Sequence, residues 1–230
     1  RSQRPLDHGS ALKDSLAPGS RWRALKGRSV AARRLAGVML LFAIQSLSGL
    51  SAQEAIRDGR SAARDAAIRI FSLTGSLRIT AWARDSIAVS GRVDAGAGRL
   101  FLGGTRSALK LSVEPPQNRE PDGTADLDIQ VPTDARLWIK SSGADIEIVA
   151  GGGTVEVINV SGRVRIAGRA ASVSVETLDG NVELALESPL GHVRTASGTI
   201  VVRGVVRDLD ASTVSGPLLV GMEGSVARAR

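Results

Sequence analysis

The chain has 230 residues, a formal net charge of +7 and no cysteine. The excess charge lies in residues 1–52, which hold nine Lys or Arg against two Asp, while the remaining residues hold 21 side chains of each sign. A neutral body in a chain with only 3% aromatic residues lacks the phosphate-neutralising and base-stacking groups of nucleic-acid binders. The composition therefore excludes nucleic acid as a partner, and the lack of cysteine excludes disulfides and thiol catalysis.

Residues 1–52 have the order of a basic leader and a secretory signal peptide. The basic stretch RWRALKGRSVAARR precedes an apolar stretch from Leu35 to Leu50, and small residues follow. The apolar stretch is short and interrupted for a membrane-spanning helix of about 20 residues, which favours cleavage after Ala52. We therefore expect an exported protein that is periplasmic, secreted or at the cell surface, and that touches a membrane only if the signal segment stays uncleaved.

After the leader, the pattern predicts one domain over residues 69–230. Residues 53–68 have the composition of a short helix or a tether, and residues 69–140 contain strand-like alternation without a fixed period, which predicts an irregular β section. Between two of its strands lies the proline-rich stretch EPPQNREPDGT, which predicts a long exposed loop over residues 114–124. Long loops often bind ligands, and its candidate binding residues are Pro115, Pro116, Asn118 and Arg119.

Residues 141–230 contain an internal repeat of eighteen residues. A glycine column recurs at that spacing, and aliphatic residues follow each glycine at the second and fourth positions; the glycines are Gly162, Gly180, Gly198 and Gly216. Alternation of period two predicts strands that bury one face, and only stacked copies can cover that face. We therefore predict an all-β fold, a β-solenoid or β-helix with coils of about eighteen residues, in which each glycine turns the chain at φ > 0.

The outward positions of this repeat support the same register. Glu147, Arg165 and Glu183 fall in one column, so opposite charges become neighbours on adjacent strands. The column continues with Val201 and Leu219, which predicts an apolar surface covered by the chain terminus or by a partner. In another column, Asn159 is followed by Thr177, Thr195 and Thr213, which predicts a ladder of side-chain hydrogen bonds.

The motifs GSLRITAWARDSIAVSG and VPTDARLWIKSSGADIEI, followed by serial SGxVxI units, resemble the bacterial putative-adhesin family of unknown function with β-strand repeats. The resemblance covers residues 69–222. It implies an all-β, solenoid-like extracytoplasmic protein without an established enzymatic activity. The family carries no catalytic or binding residues that can be transferred to this chain.

One arrangement of polar residues suggests catalysis. Spacing by eighteen places Ser174, His192 and Asp210 in one outward column on three successive strands, in the order of a serine, histidine and aspartate triad. The flat face of a solenoid provides no pocket, and no oxyanion-stabilising donors are evident beside Ser174. These three residues are therefore a remote catalytic candidate, and the sequence predicts no enzyme, no metal site and no cofactor.

The sequence leads to one principal hypothesis and one structural alternative. The first is a non-enzymatic envelope or cell-surface protein that makes structural or adhesive contacts with an envelope protein or a glycan. The alternative is a self-associating β-helix scaffold similar to the bactofilin polymers, which requires exposed solenoid ends.

Overall fold

The computed structural model describes residues 53–118, 120–222 and 228–229. This part of the chain contains no helix and folds into fourteen strands, which confirms the all-β prediction. The strands are β1 (Gln53–Ser61), β2 (Ala67–Trp82), β3 (Ser86–Asp94), β4 (Arg99–Gly104), β5 (Ala108–Glu114), β6 (Ala125–Pro132), β7 (Arg136–Ala150), β8 (Thr154–Ser161), β9 (Val164–Arg169), β10 (Ser172–Asp179), β11 (Val182–Ser197), β12 (Ile200–Ser215), β13 (Leu218–Met222) and β14 (Arg228–Ala229).

The predicted leader and signal peptide over residues 1–52 lie outside the described residues, as does Arg119 of the predicted loop. Among the residues that the structure describes, no helix is long and apolar enough to cross a membrane.

From β7 onward, strands pair in parallel and each residue faces the one eighteen positions later. Val164 pairs with Val182, Val182 with Ile200, and Ile200 with Leu218. The other half of each repeat follows the same rule, because Val155 pairs with Val173 and Val173 with Gly191. The eighteen-residue spacing in the sequence is therefore the spacing of hydrogen-bonded neighbours in the sheet.

This register stacks like residues into buried aliphatic columns. Val164, Val182 and Ile200 are at most 1% exposed, and Val157 and Val175 are fully buried. Side chains in a strand alternate between faces, so a parallel pairing without offset brings every inward residue against an inward neighbour. Burial of each such side chain contributes about 1.5–3 kcal/mol relative to exposure, and these columns belong to the same core cluster as the buried residues of the earlier strands.

The glycine column lies where the backbones of successive repeats approach most closely. Gly162, Gly198 and Gly216 have φ values of 98°, 130° and 141°, as predicted, whereas Gly180 does not have a positive φ. A Cβ atom on Gly198 would lie 2.4 Å from the carbonyl oxygen of Gly180. Glycine is therefore required at Gly198 for two reasons, the backbone conformation and the lack of space.

In the section before residue 140, the sequence separation between paired residues is not constant. Strand β2 pairs in parallel with β7 along most of its length, and on its other side first with β5 and then with β6. The pairs β1–β3, β3–β6 and β4–β5 are antiparallel. This section is therefore a mixture of parallel and antiparallel strands, in contrast with the constant parallel pairing that follows it.

The short helix or tether predicted for residues 53–68 is wrong for its first nine residues. Residues 53–61 form β1, which pairs with β3 over its whole length, from Gln53 opposite Asp94 to Ser61 opposite Ser86. The residues of β1 from Arg57 to Ser61 are exposed, and Ile56 is half-buried against the core. A polar edge strand of this kind has little apolar alternation, so its sequence does not distinguish it from a polar helix.

Candidate functional site

The three remote catalytic candidates lie side by side on β10, β11 and β12. Ser174 is opposite His192, and His192 is opposite Asp210. His192 Nδ1 is 3.4 Å from Asp210 Oδ2, and Arg194 approaches the same carboxylate oxygen at 3.8 Å. Within the described part of the chain, no hydrogen bond joins Ser174 to His192. The column thus contains a histidine–carboxylate contact but no activated serine.

The predicted charge column forms one ion pair within itself on the outer face, because Glu147 pairs with Arg78 of β2 and not with Arg165 among the described residues. Arg165 lies 3.0 Å from Glu183, and Arg203 lies 3.6 Å from the same carboxylate. Val201, which is opposite Glu183 in the sheet register, is half-buried, and Leu219, opposite Val201 on β13, is 57% exposed. This column therefore ends in an apolar step on β13, the strand at the end of the described strand order.

The column of Asn and Thr residues is longer than the sequence predicts. We define the polar ladder as the six aligned residues Ser72, Ser141, Asn159, Thr177, Thr195 and Thr213. Its side chains bond to backbone carbonyls and not to each other: Thr195 Oγ1 donates to Ser197 at 2.8 Å, and Asn159 donates to Ala144 at 3.2 Å. The predicted side-chain hydrogen bonds are present at Ser141, Asn159 and Thr195, and their acceptors are backbone carbonyls because the column is turned inward toward the corner backbone.

Some polar atoms of this ladder are buried without a partner. Among the described residues, Ser72 Oγ, Thr177 Oγ1, Thr213 Oγ1 and Asn159 Oδ1 have no hydrogen bond. A buried polar group without a partner costs about 1–3 kcal/mol. Each of these atoms either lowers the stability of the fold or forms a hydrogen bond when a ligand binds.

An exposed column of aliphatic residues runs directly beside the polar ladder. We define the apolar stripe as Val160, Leu178, Ala196 and Val214, each one residue after a ladder member. Val160 is 48% exposed, Leu178 59% and Val214 88%. Sequence reasoning missed the stripe, although the eighteen-residue register shows it as the column that follows the Asn and Thr residues.

A cleft of about 440 Å³ opens at the beginning of the apolar stripe. Its floor and walls come from β2, β5, β7 and β8, with the first residue of the predicted loop at its rim. We call this the β2–β5 cleft; it is lined by Phe71, Ser72, Leu73, Lys110, Ser112, Val113, Glu114, Pro115, Lys140, Ser141, Ser142, Ile158 and Val160.

The β2–β5 cleft contains one of the predicted binding residues. Pro115 lines it, while Pro116 and Asn118 do not contribute to its lining. None of Ser174, His192 and Asp210 lines this or the other recesses described for residues 53–118 and 120–222. A second recess, of about 580 Å³, lies in the regular part between Gly152 and Arg207, and it too leaves out the column of catalytic candidates.

The aromatic ring and one of the lysines in the cleft lining make contacts of their own. Phe71 packs edge-on against Trp138 with ring centroids 5.3 Å apart, and Trp138 Nε1 donates to Glu156 at 3.0 Å. Lys110 Nζ lies 5.7 Å from the ring centre of Phe71, within the range of a cation–π contact. No group of three His, Asp or Glu side chains in the described ranges is placed to hold a metal ion.

Comparison with known proteins finds no matching family model and no matching curated protein. Among solved structures, the chain is similar to a putative cell adhesion protein from Clostridium sporogenes, with 8% identity, a TM-score of 0.39, and coverage of 75% of this chain and 100% of the other. It is also similar to a putative adhesin from Bacteroides fragilis, with 13% identity, a TM-score of 0.35 and coverage of 76% and 97%.

A third similar structure is a putative lipid binding protein from Parabacteroides distasonis, with 11% identity, a TM-score of 0.29, and coverage of 74% of this chain and 95% of the other. Similarity at these scores does not indicate the function of this chain.

Proposed function

We propose that this chain is a non-enzymatic, exported protein of the bacterial envelope or cell surface, and that its β-solenoid presents the apolar stripe to an envelope partner. One observation carries the proposal: three strongly exposed aliphatic side chains fall in one eighteen-residue column on β8, β10 and β12, with the half-buried Ala196 of β11 between the last two. Single exposed aliphatic residues are normal on a soluble protein, whereas several in one column are typical of an interaction surface.

The chemistry of the stripe favours a protein partner over a glycan. Val160, Leu178 and Val214 are aliphatic, and sugar rings usually stack on exposed aromatic faces. The strands beneath the stripe are held by the parallel ladder, so the row is rigid before the partner binds. A preorganised surface loses less conformational entropy on association.

The experiment compares binding of the purified full chain and its variants to washed cell envelopes in a sedimentation assay. Val214→Asp and Leu178→Asp place charges in the stripe, and we expect at least a tenfold loss of affinity. Val149→Asp is the control, because Val149 is 46% exposed but lies in a different column. An equal loss in all three variants, or no loss in the stripe variants, contradicts the proposal.

Export is tested separately by sequencing the mature amino terminus. A mature protein that begins near Gln53 supports the proposed cleavage after Ala52. A protein that keeps the stretch from Leu35 to Leu50 and remains in the cytoplasm contradicts it.

A second candidate is the self-associating scaffold, and the edge strand β13 favours it. β13 pairs with β12 on one side, and its Leu219 is 57% exposed. An open strand edge with apolar side chains can add a strand from another chain. Leu219→Lys should abolish concentration-dependent assembly in analytical ultracentrifugation if this candidate is correct, and a wild-type chain that stays monomeric at high concentration rules it out.

A further inference from the structure

The β2–β5 cleft exists because β5 stops pairing with β2 before β6 begins to pair with it. Phe71 is the last residue of β2 that pairs with β5, opposite Ser112, and Gly75 is the first that pairs with β6, opposite Ala125. In the described structure, residues 72–74 therefore have a strand neighbour on the β7 side alone. The β4–β5 hairpin continues past Ser112 to Glu114 without β2 beside it, and the gap becomes a recess.

The recess crosses the outer face of four consecutive strands. The row formed by Ser112, Phe71, Lys140 and Ile158 follows direct register pairing across β5, β2, β7 and β8. Three strand intervals of about 4.8 Å make the row about 14 Å long. This length suits an extended chain molecule better than a compact metabolite.

The lining of the cleft is mainly apolar. Its apolar side chains come from all four strands and from the loop, and they are Phe71, Leu73, Val113, Pro115, Ile158 and Val160. Val160 is 48% exposed and Ile158 is half-buried, so a molecule in the cleft would remove existing apolar surface from water. Such burial of apolar surface favours binding.

The charges at the mouth leave one cation without a partner. Lys110 Nζ is 3.4 Å from Glu114 Oε1, and the same carboxylate oxygen accepts a hydrogen bond from Ser112 Oγ at 3.4 Å. The charge of Glu114 is thus compensated within the cleft wall. Lys140, which is exposed, has no ion pair or hydrogen bond with any residue that the structure describes. The lining as a whole therefore favours one negative charge beside Lys140.

A buried hydroxyl provides an independent indication of a ligand. Ser72 is 4% exposed, lines the cleft, and its Oγ has no hydrogen-bond partner within the described chain. Ser141, its register partner, donates to the carbonyl oxygen of Leu73 at 3.3 Å. A buried hydroxyl without a partner is costly in the empty protein, and a polar ligand atom in the cleft would satisfy it.

We infer that the β2–β5 cleft binds a free single-chain amphiphile, a long-chain carboxylate, with its apolar tail across Phe71, Ile158 and Val160 and its carboxylate at Lys140 near Ser72. The shape, the apolar lining, the uncompensated cation and the unpartnered hydroxyl each select for part of this molecule. The inference is independent of the proposed function, because it uses the cleft and not the apolar stripe beyond Val160.

The first test titrates dodecanoate, below its micelle concentration, into the full chain by calorimetry. Val160→Glu places a carboxylate in the cleft and should weaken binding at least tenfold. Leu178→Glu is the matched control, since it makes the same change in the next residue of the same column, outside the cleft lining. We expect the control to bind within twofold of wild type.

The second test examines the head group. Lys140→Glu should reduce dodecanoate affinity about tenfold, and dodecyltrimethylammonium, which has the same tail and a cationic head, should not bind to the cleft. Ser72→Ala should keep the thermal stability and weaken dodecanoate binding about threefold. A normal melting curve for each variant separates loss of binding from loss of fold.

Three outcomes would overturn the inference. Equal effects of Val160→Glu and Leu178→Glu would show that binding does not use the cleft. Equal binding of the cationic amphiphile would show that Lys140 selects no anion. Binding to phosphatidylglycerol vesicles without binding of free dodecanoate would show that the surface recognises a bilayer and not a free amphiphile.

Discussion

The two parts of this sheet differ in how constant their strand pairing is. In the regular part, from β8 to β13, each residue pairs with the one eighteen positions later, and the outer face is an even lattice of columns. In the earlier part, β2 changes its neighbour from β5 to β6 between Phe71 and Gly75. The change of partner opens the mainly apolar β2–β5 cleft, whereas the recess in the regular part is lined by charged side chains such as Arg169, Glu187 and Arg207. The break in the repeat therefore determines where the apolar cleft lies.

The largest expected effect tests the regular part. Val182 is 1% exposed and lies between Val164 and Ile200 in a buried column, so Val182→Asp buries an unpaired carboxylate. The cost of several kcal/mol is comparable with the whole stability of a domain, and we expect no folded protein by circular dichroism.

The neighbouring variant Glu183→Gln is the control. Glu183 faces outward between two arginines, and the loss of its charge should cost less than about 1 kcal/mol. Similar melting temperatures for Val182→Asp and Glu183→Gln would show that the alternation of inward and outward faces is wrong.

The next prediction concerns the close approach of successive repeats. Gly198→Ala forces a side chain into a backbone with φ of 130° and places its Cβ 2.4 Å from a carbonyl oxygen. Strain of this type costs about 1–3 kcal/mol, and urea unfolding should show a lower midpoint. Gly221→Ala is the control, because no atom lies within 4 Å of its added Cβ. A loss of stability in the control as large as in Gly198→Ala contradicts the steric explanation.

The eighteen-residue columns were predictable because alternation and glycine spacing are properties of the sequence itself. Val164, Val182 and Ile200 occur at that interval and pair as the interval requires. The β2–β5 cleft was not predictable, because the divergence of strands after Phe71 depends on pairing between segments far apart in the chain, Ala67–Phe71 with Ala108–Ser112. The proline-rich loop gave a partial signal, since Pro115 is at the cleft rim.

A smaller effect distinguishes two members of the polar ladder. Thr177 Oγ1 is buried without a partner, so the isosteric change Thr177→Val removes an unpaired polar atom and should stabilise the protein by about 1 kcal/mol. Thr195 Oγ1 donates to the carbonyl of Ser197 at 2.8 Å, and Thr195→Val should destabilise it by about 1 kcal/mol. Thermal melts of the two variants should therefore shift in opposite directions; shifts of the same sign would contradict the hydrogen-bond assignment.

The smallest expected effect is an absence of reaction on the flat face of the regular part. A fluorophosphonate probe modifies a serine whose hydroxyl is activated by a hydrogen-bonded base. In the described structure, Ser174 has no such bond to His192, and Asp210, which His192 contacts at 3.4 Å, is also approached by Arg194 at 3.8 Å.

We therefore expect no labelling of Ser174 in the folded protein, with a serine esterase labelled in parallel as the positive control. Labelling of Ser174 that disappears in His192→Ala would establish a catalytic serine on a face without a cleft. Such a site would lie away from the β2–β5 cleft, on an open sheet face. An open face lacks the buried hydrogen-bond donors that stabilise transition-state charge in enzymes.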